Sequence, residues 1–137
     1  MRLTSFTDYG LRALMRIASD DTRAWSTAEI ADEFGISRNH LTKAIALLAS
    51  EGFVATRRGG GGGAMLARPA DTICSGDVVR LLEREQSLVE CFQADGGACS
   101  ITPICHLKGI LAEAEQAFLS NLDTHRLSDC ALPKLPA

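Results

Sequence analysis

Three cysteines carry the densest chemistry in the sequence. Cys91, Cys99 and Cys105 fall in the segment CFQADGGACSITPIC, with seven and then five residues between them. Thiolates bind soft metals and are the usual ligands of iron–sulfur clusters. Zinc sites are commonly built on Cys-x-x-Cys knuckles, and this chain has none. Looser, glycine-containing spacings suit a larger object of several metal atoms, wrapped by a loop. A [4Fe–4S] cube is such an object, and it takes four ligands, one per iron. The loop supplies three, so the fourth donor is a thiol, carboxylate, imidazole or small molecule from elsewhere. Core packing would explain one such thiol, but not three in a polar loop. Cys74 and Cys130 each stand alone and read as structural thiols. His106 reads as a surface residue, while His125 and His40 have no cluster-like context.

A second constellation lies earlier. Ser37, Arg38, Asn39, His40, Thr42 and Lys43 crowd one short stretch. These are donors of the kind that reach base edges and phosphates in a major groove, and a helix N-terminus there favours a phosphate. Arg57, Arg58 and Arg68 flank the five-glycine tract Gly59 to Gly63. Arginine beside a glycine tip suits entry into a narrow minor groove. The tract is no Walker motif, because Gly-Lys-Ser/Thr does not follow it. A polar helix face with two cations is by itself ordinary solvated surface; the order and spacing of both features point to DNA.

Elements must position these groups. The spacing predicts a first helix over Thr7 to about Ser19, with Phe6, Leu14, Ile17 and Ala18 inward. Ser26 with Glu29 forms a capping box for a second helix, whose inward face is Ile30, Ala31 and Phe34 and whose stop is Gly35. Ser37 caps a third helix, Arg38 to about Ser50, buried through Leu41, Ile45 and Leu48. Two helices joined by a tight turn make a helix-turn-helix. Phe53–Arg57 and Ala64–Ala67 then read as a β-hairpin wing with a flexible glycine tip. A fifth element runs from Val78 to about Glu85, and a loop from Glu90 to Thr102. A long helix follows with Pro103 in its first turn, and Leu107, Leu111, Ala114, Phe118 and Leu122 form a seam able to pair with a second chain. The tail from Ser128 is expected to be loose. The fold class is thus mainly α: a winged helix-turn-helix, a cysteine-bearing loop and a long dimerisation helix. Residues 1–80 form the DNA-binding region and 81–137 the cluster-binding and dimerisation region of one continuous small domain.

Composition sets the outer bounds. A chain of 137 residues can bury only a modest core, so a partner is expected. Its 46% hydrophobic and 23% charged residues exclude disorder as the dominant state. The net charge of −3 hides a split: residues 1–68 hold nine basic and seven acidic residues, residues 69–137 five and ten. Basic charge therefore gathers where DNA binding is expected. The odd cysteine count argues against a disulfide framework. The opening MRLTSFTDYG lacks an apolar signal core and no run of eighteen apolar residues occurs, so a cytoplasmic protein with no membrane partner is expected. An enzyme is not expected, because no nucleophile with a paired base and no acid pair stands out.

The segments MRLTSFTDYGLRALM, GISRNHLTKAI, RRGGGGGAMLARPADTICSGDVV and CSITPICHLKGIL together resemble the nitric-oxide-sensing NsrR branch of the Rrf-two family of winged-helix regulators. The resemblance spans Met1 to about Asp129. It implies a homodimeric repressor on a pseudo-palindromic operator, with a [4Fe–4S] cluster held by Cys91, Cys99 and Cys105. It implies Asp8 of the other subunit as fourth ligand and operator release when nitric oxide nitrosylates the cluster. The IscR type has a histidine where this chain has Lys108, and the RsrR type has glutamate and histidine where this chain has Asp8 and Arg12. An iron- or redox-responsive RirA-like regulator is the nearest competitor. A cluster-free thiol switch, or a cluster-bearing electron carrier or enzyme subunit without a DNA role, are the readings from other classes.

Overall fold

The computed structural model describes residues 1–59 and 62–136. Gly60 and Gly61, at the centre of the glycine tip, lie outside the described residues. Six α-helices and one hairpin make up the fold: α1 (Ser5–Ile17), α2 (Thr27–Phe34), α3 (Arg38–Ser50), β1 (Val54–Arg57), β2 (Gly63–Leu66), α4 (Ser75–Leu82), α5 (His106–Asp123) and α6 (Leu127–Cys130). This is the winged-helix arrangement anticipated from the sequence.

Local chemistry sets the helix ends. Thr4 caps α1 by accepting the Thr7 N–H, and the helix begins at Ser5, two residues before the expected start. Ser26 and Glu29 form the reciprocal box that opens α2, and Gly35 closes it in the left-handed conformation at φ 62°. Ser37 accepts the His40 N–H to open α3. One core fills the space between these helices. Leu14, Ile17, Ile30, Leu41, Leu48 and Ile73 are each fully buried. Gly10 is where α1 crosses its neighbours: a Cβ there would stand 2.9 Å from Leu82 Cδ1 and 3.6 Å from Ala44 Cβ. A side chain would crowd Leu82 of α4 while making ordinary contact with Ala44 of α3.

β1 and β2 pair antiparallel from Val54–Leu66 to Arg57–Gly63. The wing is also tied to the helical body. Trp25 and Ala64 exchange two backbone hydrogen bonds of 2.9 and 2.7 Å. Gly63 has φ 145°, and a Cβ there would run into the Trp25 carbonyl. The end of the glycine tract is therefore a packing requirement.

Three expectations are corrected. Pro103 does not open the long helix. It lies in a separate 3-10 turn, Thr102–Ile104, and Cys105, extended at φ −85° and ψ 108°, breaks the chain before α5 begins at His106. α4 runs from Ser75 to Leu82, three residues ahead of the expected element at both ends, with Cys74 at its cap. The tail is not loose. Leu127 is buried, and Leu127 N–H bonds to the Ile73 carbonyl. Leu132 N–H then donates to the Met15 carbonyl at 3.1 Å, and Arg16 Nη1 donates to the Pro133 carbonyl at 2.9 Å. Arg16 is itself buried, ion-paired to Glu33 and set over the Trp25 ring. Tail, α1 and α2 thus meet at one buried guanidinium.

Candidate nucleic-acid interface and cysteine site

The exposed face of α3 presents Arg38, Asn39, His40, Thr42 and Lys43 to solvent. Two of the hydroxyls proposed as donors have internal work. Ser37 Oγ is the cap, and Thr42 Oγ1 donates to the Arg38 carbonyl at 2.8 Å. That leaves Arg38, Asn39 and Lys43 as the long exposed donors. His40 stacks on Tyr9 of α1, with centroids 6.4 Å apart and planes at 27°. In the wing, Arg58 is exposed, Arg57 Nη2 approaches Met65 Sδ at 3.1 Å, and Arg68 lies over the Phe53 ring at 4.8 Å. Stacking of this kind holds the stem while leaving the charge at the surface.

The three loop cysteines are free and half-buried. Cys91 sits in a 3-10 turn, Glu90–Phe92, and Cys105 is the residue at the N-terminus of α5. The loop between them is held by its own bonds. Glu90 Oε1 accepts the Ala98 N–H at 2.9 Å, Asp95 Oδ1 accepts the Gly97 N–H at 2.9 Å, and Thr102 Oγ1 donates to the Cys99 carbonyl at 3.0 Å. Among the described residues, the trio of metal-type donors lying within 4.8 Å of one another is Cys74, Asp77 and Asp123, not the loop cysteines. A single tetrahedral ion with thiolate bonds near 2.3 Å needs sulfurs about 3.8 Å apart. The loop thiols are not gathered to that spacing.

The trio at Cys74 has a simpler account. Arg80 occupies both oxygens of Asp123, at 2.7 and 2.8 Å, and reaches Asp77 at 3.4 Å. Cys74 Sγ lies 3.5 Å from the same Asp123 oxygen. The guanidinium is the cation of this group, and it holds the Asp123 carboxyl below the usual carboxylate range. Cys74 is therefore a polar packing residue between α4 and α5. Burial, reinforced by Asp129, pushes the Cys130 thiol up.

Asp8 lies in the first turn of α1. Its carboxylate takes a bidentate pair from Arg12, at 3.0 and 2.8 Å. It lines an apolar groove of about 540 Å³ between α1, α4, α5 and α6, with Leu11, Met15, Val78, Phe118 and Leu122. None of Cys91, Cys99 and Cys105 lines that groove. Among the described residues, no trio of metal-type donors within 4.8 Å includes Asp8 or a loop cysteine. Next to Cys105 the chain exposes a run of large apolar side chains: Ile101 (53%), Ile104 (76%), Leu107 (55%) and Ile110 (61%). Ile110 was not part of the seam expected from the heptad-like spacing, and Leu111, Phe118 and Leu122 of that seam are half-buried within the chain. No helix among the described residues is long and apolar enough to cross a membrane.

Solved structures show the same architecture. The chain is 27% identical to IscR of T. potens, covering 94% of this chain and 85% of that one at a TM-score of 0.72. It is 26% identical to CymR of Staphylococcus aureus in its oxidized form, covering 93% of each chain at a TM-score of 0.69. CymR of B. subtilis, titled the global cysteine regulator, matches at 24% identity over 96% of each chain with a TM-score of 0.73. Residues 3–132 match the Rrf2 family, described as iron-dependent transcriptional regulators. The chain belongs to the Rrf2 family of DNA-binding transcriptional regulators.

Proposed function

We propose that this chain is a dimeric repressor whose hold on its operator depends on a [4Fe–4S] cluster and is released by nitric oxide. Cys91, Cys99 and Cys105 would hold the cluster, with Asp8 of the partner subunit as fourth ligand. The donor set fits the group: three free thiols stand on one self-bonded loop, at more than single-ion spacing. The observation that carries the reading is the exposed apolar run beside Cys105 together with the apolar groove that Asp8 lines. The apolar run Ile104–Ile110 beside Cys105 has the chemistry to fill the groove that Asp8 lines on a second copy. Bound there, the cluster supplies iron that reacts with nitric oxide.

The chain's own residues account for the rest. Arg12 gives the Asp8 carboxylate a partner whenever it is not ligating, so α1 has two satisfied states. α1 is packed on the recognition helix through Gly10 against Ala44 and Tyr9 against His40. A shift of α1 therefore moves α3, and two half-sites tolerate little change in helix separation. Arg38, Asn39, His40 and Lys43 contact bases and phosphates, Ser37 and Thr42 order the helix start, and Arg57, Arg58 and Arg68 follow the minor groove. Residues 1–80 would bind DNA and 81–137 would sense and dimerise. An anaerobic operator shift, with and without a stoichiometric nitric oxide donor, tests this beside the visible spectrum. Bleaching of the spectrum with simultaneous release is expected; release without any cluster absorbance would overturn the reading. A cluster-free thiol switch is the second reading, favoured by the free half-buried thiols and the oxidized form of the S. aureus neighbour. It predicts that a disulfide-forming oxidant, not nitric oxide, releases the DNA.

A further inference from the structure

The start of α1 is fastened to the end of α4 by one carboxylate. Glu83 Oε1 accepts the Thr4 backbone N–H at 2.7 Å and the Thr4 hydroxyl at 2.9 Å. Thr4 Oγ1 in turn accepts the Thr7 N–H at 3.2 Å, and the Thr4 carbonyl accepts the Asp8 N–H at 3.0 Å. Asp8 is thus joined to Glu83 through a single intervening residue. The carboxylate also sits at the positive end of the α1 dipole, where it is favoured. Leu82, the preceding residue, is the one that packs against Gly10 two residues beyond Asp8. Adjacent side chains of α4 therefore fix α1 on both sides of Asp8, one by hydrogen bonds and one by close packing. Glu83 ends α4 and begins the connection that reaches Cys91.

We propose that Glu83 is a positioning residue for Asp8: it sets the register at which α1 presents that carboxylate to the metal site. The inference rests on the fourth-ligand reading given above. Glu83 touches neither thiols nor metal. Its action runs through Thr4 and the first turn of α1, while Arg12 holds Asp8 from the other direction. Without Glu83, the Thr4 N–H loses its acceptor and the Thr4 hydroxyl is left with Thr7 Oγ1 at 3.1 Å, the first turn frays, and Asp8 reaches a ligating position less often. Glutamine keeps an acceptor oxygen in the same place and retains most of the effect.

The test uses the full chain as wild type, Glu83→Ala, Glu83→Gln, Asp8→Ala and the Glu83→Ala/Asp8→Ala double variant. In the metal-free protein, amide exchange over residues 4–10 is followed by mass spectrometry. Glu83→Ala is expected to speed it about tenfold, the change matching one hydrogen bond to a charged group, and Glu83→Gln by clearly less. In the reconstituted protein, a ferrous chelator reports how fast iron is stripped. Glu83→Ala is expected to speed stripping in the wild-type background and to add nothing in the Asp8→Ala background. An equal acceleration in both backgrounds would show that Glu83 acts elsewhere and overturn the proposal, as would unchanged exchange over residues 4–10. If Asp8→Ala itself strips at the wild-type rate, the fourth-ligand reading falls, and amide exchange alone then decides whether Glu83 fastens α1.

Discussion

The helix-turn-helix body and the long helix α5 handle their apolar side chains in opposite ways. In the body, Leu14, Ile30, Leu41 and Leu48 are fully buried, and each helix spends its apolar face on neighbours of the same chain. In α5 no residue of the whole helix is buried, and its main neighbour is α4. Leu107 and Ile110 face solvent on it. An amphipathic helix gains its stability by covering such a stripe, and contiguous exposed apolar surface marks an interaction site. The body is complete within one chain, whereas α5 leaves an apolar stripe uncovered by its own chain. That fits a regulator whose DNA-reading part is rigid and whose sensing part is shared between subunits.

The largest expected effect would break this comparison most directly. Leu41→Ala should cost about 2–5 kcal/mol, the usual cost of emptying a closed core site. Ile110→Ala should change the folding of a single chain by no more than about 0.5 kcal/mol, as surface changes do. Its effect should instead appear as weaker self-association in sedimentation experiments. Urea unfolding at two widely separated protein concentrations distinguishes these. Leu41→Ala lowers the midpoint at both concentrations, while Ile110→Ala lowers it mainly where the dimer is otherwise formed. Equal losses at both concentrations for the two variants would mean that α5 belongs to the same closed core as α3.

A smaller effect separates the two regions by charge. Arg38→Ala on α3 should weaken operator binding by about 1–3 kcal/mol, the worth of one good base contact. Arg126→Ala, an exposed arginine just before α6, should leave it unchanged. Electrophoretic titrations of both variants at two salt concentrations check this. A loss for Arg126→Ala matching that for Arg38→Ala would extend the DNA surface onto the sensing half. That would undo the division drawn from the charge split of the chain.

Much of the body was legible because its signals are local. The Ser26–Glu29 box, the Ser37 cap and the Gly35 stop each depend on residues within one turn, and all three stand in the structure. Signals that depend on distant partners were not legible. Nothing near Leu132 or Pro133 says that Met15 and Arg16 will bind their backbone. No local signal marks Arg16 for burial, yet its guanidinium is satisfied by groups from three separate segments. The break at Cys105 was missed because proline is equally at home in a 3-10 turn and in a helix's first turn. At the site, residue type was legible and assembly was not. Three cysteines at loose spacing raise the expectation of a metal cluster, but spacing does not say whether they gather, and among the described residues no trio of metal-type donors within 4.8 Å contains them. On α5 the regular repeat picks out Leu107 but not Ile110, which is exposed as well and lies between the repeat's positions.

The smallest effect concerns the link between the two regions, where Arg80 of α4 holds Asp123 at the end of α5. The Arg80 guanidinium, through its hydrogen bonds, keeps the Asp123 carboxyl below its ordinary value, and Asp123 raises the Arg80 guanidinium in return. A carboxyl depressed in the folded state stabilises the fold above the unfolded value, about 3.9 for aspartate, and that contribution fades as pH falls through the folded value. The pair is solvent-accessible, so its worth is modest and screened by salt. Thermal unfolding of wild type should therefore be flat with respect to this group from pH 7 to about 5 and fall below about pH 4. Asp123→Asn should lower the melting temperature slightly at pH 7 and reduce the acid-side slope. Because the same carboxylate also receives Cys74, the variant should loosen the packing of α5 on α4 without touching α3. If Asp123→Asn left the acid-side slope unchanged, α5 would be held to α4 by its apolar contacts alone, and the ion pair would be incidental to the joint.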